Sequence, residues 1–465
     1  FPKWEKSGKK VYWSLGSSLF ISDLLSVGYS DIDNPEEIKI DLTFSRFKGD
    51  GIIAFRGCTI LSMDDDLPNQ GIIKNGTVII KNDRIIKIGK DSKVKPPPGA
   101  KIVNGKGMYL LPGFIDLHAH MNLDRDIHRG TLWSFMVNLA YGVTTARDPQ
   151  SMDINIFTYA DRVAVGDMIG PRVFTTGPGI FNNSPVNNLE DAKRIVQKYS
   201  DYYRVNTVKQ YLSGNRRHRQ LLNMAIQDAQ LIPTTEGMDM KLMVTQIMDG
   251  YSLEHTLPHY PLYKDMIELI VQSGTYYDPT VIVGTGPRAE YYYWTRTDVH
   301  GNKKLNHFFP HDILDLQTRR VPWFHESEFS YKEYAKTFKN IVNAGGKIGV
   351  GSHGEMQGIC YHWELWNIQS GGMSEMNALR CATIIGSEAI GFSNDLGSIE
   401  EGKLADLILL TKNPLDDIRN TNSIKYVMKN GILYNADSLD EVWPTIKKLP
   451  PQYWHGKTPK HHDKY

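Results

Sequence analysis

Pro112-Gly-Phe-Ile-Asp-Leu-His-Ala-His120 decides how this 465-residue chain is read. It follows an apolar, strand-like run, Gly107-Met-Tyr-Leu-Leu111, and ends in two histidines two residues apart. The period of two along a strand points both imidazoles to one side. Two imidazoles on one face make half a metal site. Zinc and similar ions favour neutral imidazole nitrogen, and a catalytic site takes three or four protein ligands plus an open position for water. A His-x-His pair also arises by chance and is then satisfied by hydrogen bonds. What favours the metal is the succession of apolar runs downstream, several of which end in a residue able to bind it.

Those runs lie between residues 108 and 394 and alternate with helix-like stretches. After the run that leads to His118 come Val143–Asp148, Arg172–Gly177, Asn206–Leu212, Ile232–Glu236, Ser252–His255, Tyr276–Val283 and Lys347–His353. Helical patterns such as Thr131–Ala140, Glu190–Tyr199 and Tyr263–Gln272 separate most of them. Eight such units predict an α/β fold, a (β/α)8 TIM-type barrel over 108–394, whose active site forms at the C-terminal ends of the strands. One connection is too long for a plain loop. Residues 284–330, with Tyr291-Tyr-Tyr-Trp294 and Trp323-Phe-His325, read as a lid-like insertion or a packed surface excursion.

Both flanks of this middle are β-rich. Short strand-like runs separated by turns fill 49–107, close on Pro96-Pro-Pro-Gly99, and return in 395–440. One small β-sandwich domain assembled from both flanks is expected, with 441–465 as a C-terminal tail. Residues 1–48 read as an N-terminal arm or as the end of a β-propeller, since Lys10–Gly16 alternates like a blade strand.

Composition narrows the function classes. Lys+Arg 53 against Asp+Glu 52 leaves no electrostatic footprint for nucleic acid. Hydrophobic content is 41%, and no run approaches the ~18 apolar residues of a membrane span. The three cysteines, Cys58, Cys360 and Cys381, form no metal-binding spacing and no disulfide framework. The chain starts at Phe1, so a fragment or a processed form is expected. The compartment is not set by the residues; a periplasmic or secreted location follows if a signal segment has been removed.

At the ends of the predicted strands stand His118, His120, Lys209, Glu236, His255 and His353. Each has a plain role available, as a hydrogen-bonded histidine, a solvated lysine or a capping glutamate. Six at matching depths are hard to assign to chance. With Leu111–His120, the chain carries Ala140-Tyr-Gly-Val-Thr-Thr-Ala-Arg-Asp148, Val208-Lys-Gln-Tyr211, Leu253-Glu-His255 and Leu396-Gly-Ser-Ile-Glu-Glu-Gly-Lys-Leu-Ala-Asp-Leu407. In these motifs it resembles the amidohydrolase superfamily of metal-dependent hydrolases. The branch it resembles includes imidazolonepropionase and prolidase-like enzymes and is found fused to a TolB-like β-propeller. The resemblance spans about residues 50 to 440 and implies that a propeller domain precedes Phe1.

The resemblance further implies that His118, His120 and His255 bind metal, one or two divalent ions, zinc first. Lys209 stands where relatives carry a lysine carboxylated to bridge two metals. Glu236 takes the place of a fifth-strand histidine. The eighth strand departs from the pattern: Gly349-Val-Gly-Ser-His-Gly-Glu355 lacks the usual aspartate, leaving His353 as ligand or base and Glu355 as second choice. Tyr211 is a candidate oxyanion donor or a packing residue. The implied reaction is amide (C–N) hydrolysis by metal-activated hydroxide on a small molecule or short peptide, such as a dipeptide or N-acyl amino acid, in a homo-oligomer. The alternatives are a deaminase of the same superfamily and a catalytically degenerate binding module.

Overall fold

The computed structural model describes residues 2–23, 35–123, 128–151, 154–182, 184–237, 239–284 and 286–456. The last nine residues of the expected tail and residues 24–34 of the expected arm lie outside the described residues.

The alternating middle folds as a TIM-barrel-like α/β unit. Phe114–Asp116, Val143–Asp148 and Arg172–Thr175 form a three-stranded parallel sheet. Thr207–Tyr211, Ile232–Glu236, Ser252–Glu254, Tyr276–Asp278 and Lys347–Ile348 form a five-stranded one, also parallel and in chain order. On one side, an isolated bridge joins Ile180, in the segment after Arg172–Thr175, to Gln210 of the next strand. On the other side the Leu117 N–H donates to the Val350 carbonyl at 2.9 Å. Within each sheet the strand C-termini face one end.

Two strands are shorter than the apolar pattern predicts, for stated reasons. Pro279 has no N–H to continue a ladder, and Thr280 turns into the left-handed region at φ 40°, so Val281–Val283 is a 3₁₀ turn. The eighth strand stops at Ile348. Beyond it, Gly351 lies so close to its neighbours that a Cβ there would stand 2.3 Å from the Asp278 carboxylate and 2.6 Å from the His118 Cβ. Glycine is what lets this segment pass against the first and seventh strands.

Residues 284–330 are not an open loop. They hold the helices Ala289–Trp294, Lys303–Phe308 and His311–Thr318. Trp294, Leu305, Phe308, Phe309 and Leu314 are buried in the main hydrophobic core. Burying one such side chain contributes roughly 1.5–3 kcal/mol, so the segment is anchored to the body.

Both flanks enter one nine-stranded sheet. Its centre pairs Tyr109–Pro112 with Leu407–Leu410 antiparallel, and Ile52–Leu61 with Ile72–Lys81. The runs at 51–55 and 59–63 are a single strand with register shifts around Cys58. Ile424–Lys429 and Ile432–Asn435 pair as a hairpin through Asn430-Gly431, both at positive φ as a two-residue type I′ turn requires. Ile53, Phe55, Val78, Leu110, Leu407 and Met428 pack a second core on this sheet. Glu441–Trp443, placed by sequence in the tail, forms its edge strand. Lys3–Trp4, Lys10–Leu15, Ser18–Asp23 and Glu36–Lys39 form a separate four-stranded antiparallel sheet. Among the described residues, no helix is long and apolar enough to cross a membrane.

Candidate metal centre

The strand ends bring imidazoles together first. His118, His255 and His353 each offer a ring nitrogen within 4.8 Å of the others. Ring centroids lie 4.7 Å apart for His118 and His255 and 5.0 Å apart for His118 and His353. His120 stands beside this triad, its ring 5.0 Å from His118 and 4.9 Å from His353, and its Nδ1 3.7 Å from Asp148.

His118 is the deepest member. It is fully buried, and among the described residues neither of its ring nitrogens has a hydrogen-bond partner. A buried polar group without a partner costs about 1–3 kcal/mol, so an orphaned imidazole asks for a ligand. Burial, followed by the proximity of His255, Lys209 and His353, holds its pKa well below the ordinary histidine value. The ring is therefore neutral, the form that binds a cation. The residues present thus fit a divalent ion.

Backbone strain accompanies the site. His255 and His353 both sit in the left-handed region, at φ 68° and 60°. Such conformations are sparsely populated and persist where the surroundings over-determine them. The His255 N–H donates to the Asp278 carbonyl at 2.8 Å. On the other side, Asp116 accepts the N–H of His118 at 3.1 Å and both the N–H and hydroxyl of Ser352, at 3.0 and 2.6 Å. That carboxylate ties the first strand to the segment carrying His353. The His353 Nδ1 lies 2.9 Å from a Glu355 oxygen, which leaves Nε2 for the centre.

Carboxylates and cations fill the floor. Lys209 is fully buried, its ammonium 2.5 Å from Glu254 and 3.0 Å from Glu236. Burial pulls its pKa down, but Glu254, Tyr211 and Glu236 outweigh this and the net shift is upward. Glu236 also lies 3.1 Å from the His255 Nε2. Although burial opposes ionisation, His255 and Lys209 pull the Glu236 carboxyl down to about 2. Tyr211 stacks on Phe181 at 4.7 Å and lies under the Lys209 ammonium; burial pushes its hydroxyl up to about 12.

Sequence reasoning missed three members of this floor. Glu254 accepts from Arg147 at 2.9 Å and from the Thr234 hydroxyl at 2.5 Å. Asp278 lies 3.6 Å from the His118 Nδ1 and 3.9 Å from Arg147. Arg147 also donates to the Leu117 carbonyl at 2.7 Å. Glu254 and Asp278 end their parallel strands, and Arg147 is the last residue but one of Val143–Asp148. Strand-end position was therefore the available signal.

Imidazole and carboxylate donors at the carboxyl ends of strands in the two parallel sheets mark a metal-dependent hydrolase of the TIM-barrel-like class. The profile of the amidohydrolase family matches residues 109–433, and the chain belongs to that family. It is a hydrolase acting on carbon–nitrogen bonds. Among curated proteins it is similar to a 5'-deoxyadenosine deaminase of Methanobrevibacter smithii, 22% identical over 412 residues, 78% of this chain and 86% of the relative. Among solved structures it resembles a Xaa-Pro dipeptidase with bound methionine in the active site, at TM-score 0.63 and 20% identity, over 83% of this chain and 100% of that one. Molinate hydrolase is similar at TM-score 0.64 and 18% identity, over 83% of this chain and 94% of that one.

Proposed function

We propose that His118, His255 and His353 hold a zinc ion with which the protein hydrolyses the amide bond of a dipeptide or N-acyl amino acid. The observation that carries this reading is the cluster of three imidazoles, one of them a buried ring with no hydrogen-bond partner among the described residues. Bound there, a divalent ion supplies an activated water and polarises the scissile carbonyl. Glu355 holds the His353 ring through Nδ1, as carboxylates orient metal-bound histidines, and its carboxylate is the group that would take a proton to the leaving amine. Tyr211, protonated at neutral pH, is the candidate donor to the developing oxyanion. His120 lies beside His118 and His353, and Glu236 beside His255, so both stand next to the centre.

A second ion requires a further donor, and Lys209 provides one only as a carbamate. As the ammonium that pairs with Glu254 and Glu236, it supports a single ion. Intact mass of the native protein, searched for an added carbon dioxide, separates one ion from two. The deaminase reading is favoured by the similarity to the 5'-deoxyadenosine deaminase, which spans most of the chain. A panel of dipeptides, N-acyl amino acids and 5'-deoxyadenosine, followed for free amino acid and for ammonia, decides. Free amino acid from the amides supports the proposal; ammonia from the nucleoside alone replaces it with the second reading.

The architecture proposed with this function is a closed (β/α)8 barrel that starts at Phe114 and not at 108 as expected from the sequence, because Tyr109–Pro112 pairs in the nine-stranded sheet instead. A composite β-sandwich domain accompanies it, with 49–107 and 395–440 sharing the nine-stranded sheet. The helical 284–330 segment walls the mouth, where its Arg288 lies 3.7 Å from Glu355 and Gln317 donates to the Glu355 carbonyl at 2.8 Å. The four-stranded sheet of residues 3–39 is read as a blade of a TolB-like propeller, and the protein as a homo-oligomer. Light scattering of the purified protein tests the last point.

A further inference from the structure

The His255 ring is held from behind by a residue in an unusual conformation. Its Nδ1 lies 2.7 Å from the Thr280 hydroxyl. Thr280 is fully buried and left-handed, at φ 40° and ψ 53°. A β-branched side chain in that region is a genuine outlier, and something must hold it there. The next two backbone N–H groups supply the hold. Val281 and Ile282 donate to the two oxygens of Glu364, at 2.7 and 2.8 Å. Glu364 lies on the helix Ile359–Gln369, is fully buried, and plays no part in the chemistry described above.

We propose that Glu364 is a positioning residue for the metal centre: by gripping the Val281 and Ile282 N–H groups it keeps Thr280 left-handed, so that the threonine hydroxyl accepts from the His255 Nδ1–H and aims the Nε2 lone pair at the centre. Nε2 is the ring atom that faces Glu236 at 3.1 Å, as an N–H donor to that carboxylate, and so points into the site, where a bound ion would take the place of its proton. A ring whose Nδ1 is not held would be free to rotate or to switch tautomer, and metal affinity would fall. Partners of this kind, one shell removed from the ion, are worth 10–100-fold in metal affinity or activity. The inference extends the site from the strand ends to the buried helix Ile359–Gln369, and it rests on the reading of His255 as a ligand.

The test is zinc affinity, measured by competition with a chromophoric chelator on metal-free protein, with thermal unfolding as the check on folding. Thr280→Val keeps the shape and removes the hydroxyl, and a 10–100-fold loss is expected. Thr280→Ser restores the hydroxyl and should return affinity to within roughly 3-fold of wild type, a recovery that a purely structural role for the threonine would not produce. Glu364→Gln places an amide NH2 against one of the two N–H groups and should lose about 10-fold. Because Glu364 acts through Thr280, the double variant should lose no more than Thr280→Val alone. Wild-type affinity in Thr280→Val, no recovery in Thr280→Ser, or multiplied losses in the double variant overturns the proposal. If Glu364→Gln does not fold, the comparison of Thr280→Val with Thr280→Ser decides alone. A wild-type protein that takes up no zinc refutes the metal reading itself, whereas tight wild-type binding left intact by Thr280→Val refutes only this inference.

Discussion

Replacing Glu254 by glutamine should be among the costliest single-atom changes available in this protein. The carboxylate is 1% exposed and stands between two buried cations, the Lys209 ammonium at 2.5 Å and the Arg147 guanidinium at 2.9 Å. Burial opposes its charge, but Lys209 and Arg147 hold its pKa below the ordinary value, so it is ionised at neutral pH. Glutamine keeps the shape, removes the charge and turns an NH2 toward one of the cations. Removing one partner of a buried ion pair costs about 3–5 kcal/mol, because the remaining charge stays buried without compensation. The loss should appear in urea unfolding of the metal-free protein followed by tryptophan fluorescence. Glu268→Gln is the control. Its pair with Lys264 is 3.5 Å long between side chains 53% and 89% exposed, and exposed pairs of this kind contribute at most about 0.5 kcal/mol. Adding Lys209→Met to Glu254→Gln should return at least half of the loss, since removing both partners is far cheaper than removing one. A Glu254→Gln loss below about 1 kcal/mol, indistinguishable from the control, would refute the argument that the floor of the site is an interlocked charge cluster.

His353→Ala should weaken zinc binding and lower turnover by roughly 10²–10⁴-fold, while Glu355→Gln should lower turnover less and leave zinc in place; zinc content and rates of both variants check the order. His362 gives a pH prediction away from the centre. It is fully buried between the Tyr141 carbonyl and Thr421, and burial pulls its pKa down to about 3. The unfolded chain binds this proton below about pH 6.5 and the folded one does not, so stability falls as pH drops from 6.5 toward 3, by about 1.4 kcal/mol per unit. His362→Gln should flatten that limb of the unfolding profile, and an unchanged slope would contradict the assignment.

Much of the arrangement was legible in the sequence because strand and helix periods differ. The order of the eight parallel strands, the β-rich flanks and the strand-end histidines all follow from pattern and position. What was not legible required knowledge of contacts. Val281–Val283 has the composition of a strand, and only Pro279 and the left-handed Thr280 make it a turn. The aromatic residues of 284–330 read equally as a lid or a packed excursion, since burial of Trp294 and Phe308 depends on the surface they meet. Glu254 was passed over because its partner Arg147 lies 107 residues away in the chain. The pairing of Glu364 with the turn after the seventh strand spans 83 residues and leaves no periodic trace.

The central claim is that three imidazoles at the strand ends hold an ion on which amide hydrolysis depends. The most direct test removes the metal with a chelator, assays the dipeptide and N-acyl amino acid panel, and then adds zinc back to wild type and to His118→Ala. The account predicts that wild-type hydrolysis disappears on chelation and returns with zinc, and that His118→Ala neither retains zinc nor recovers. Undiminished hydrolysis by protein shown by elemental analysis to contain no transition metal would contradict it.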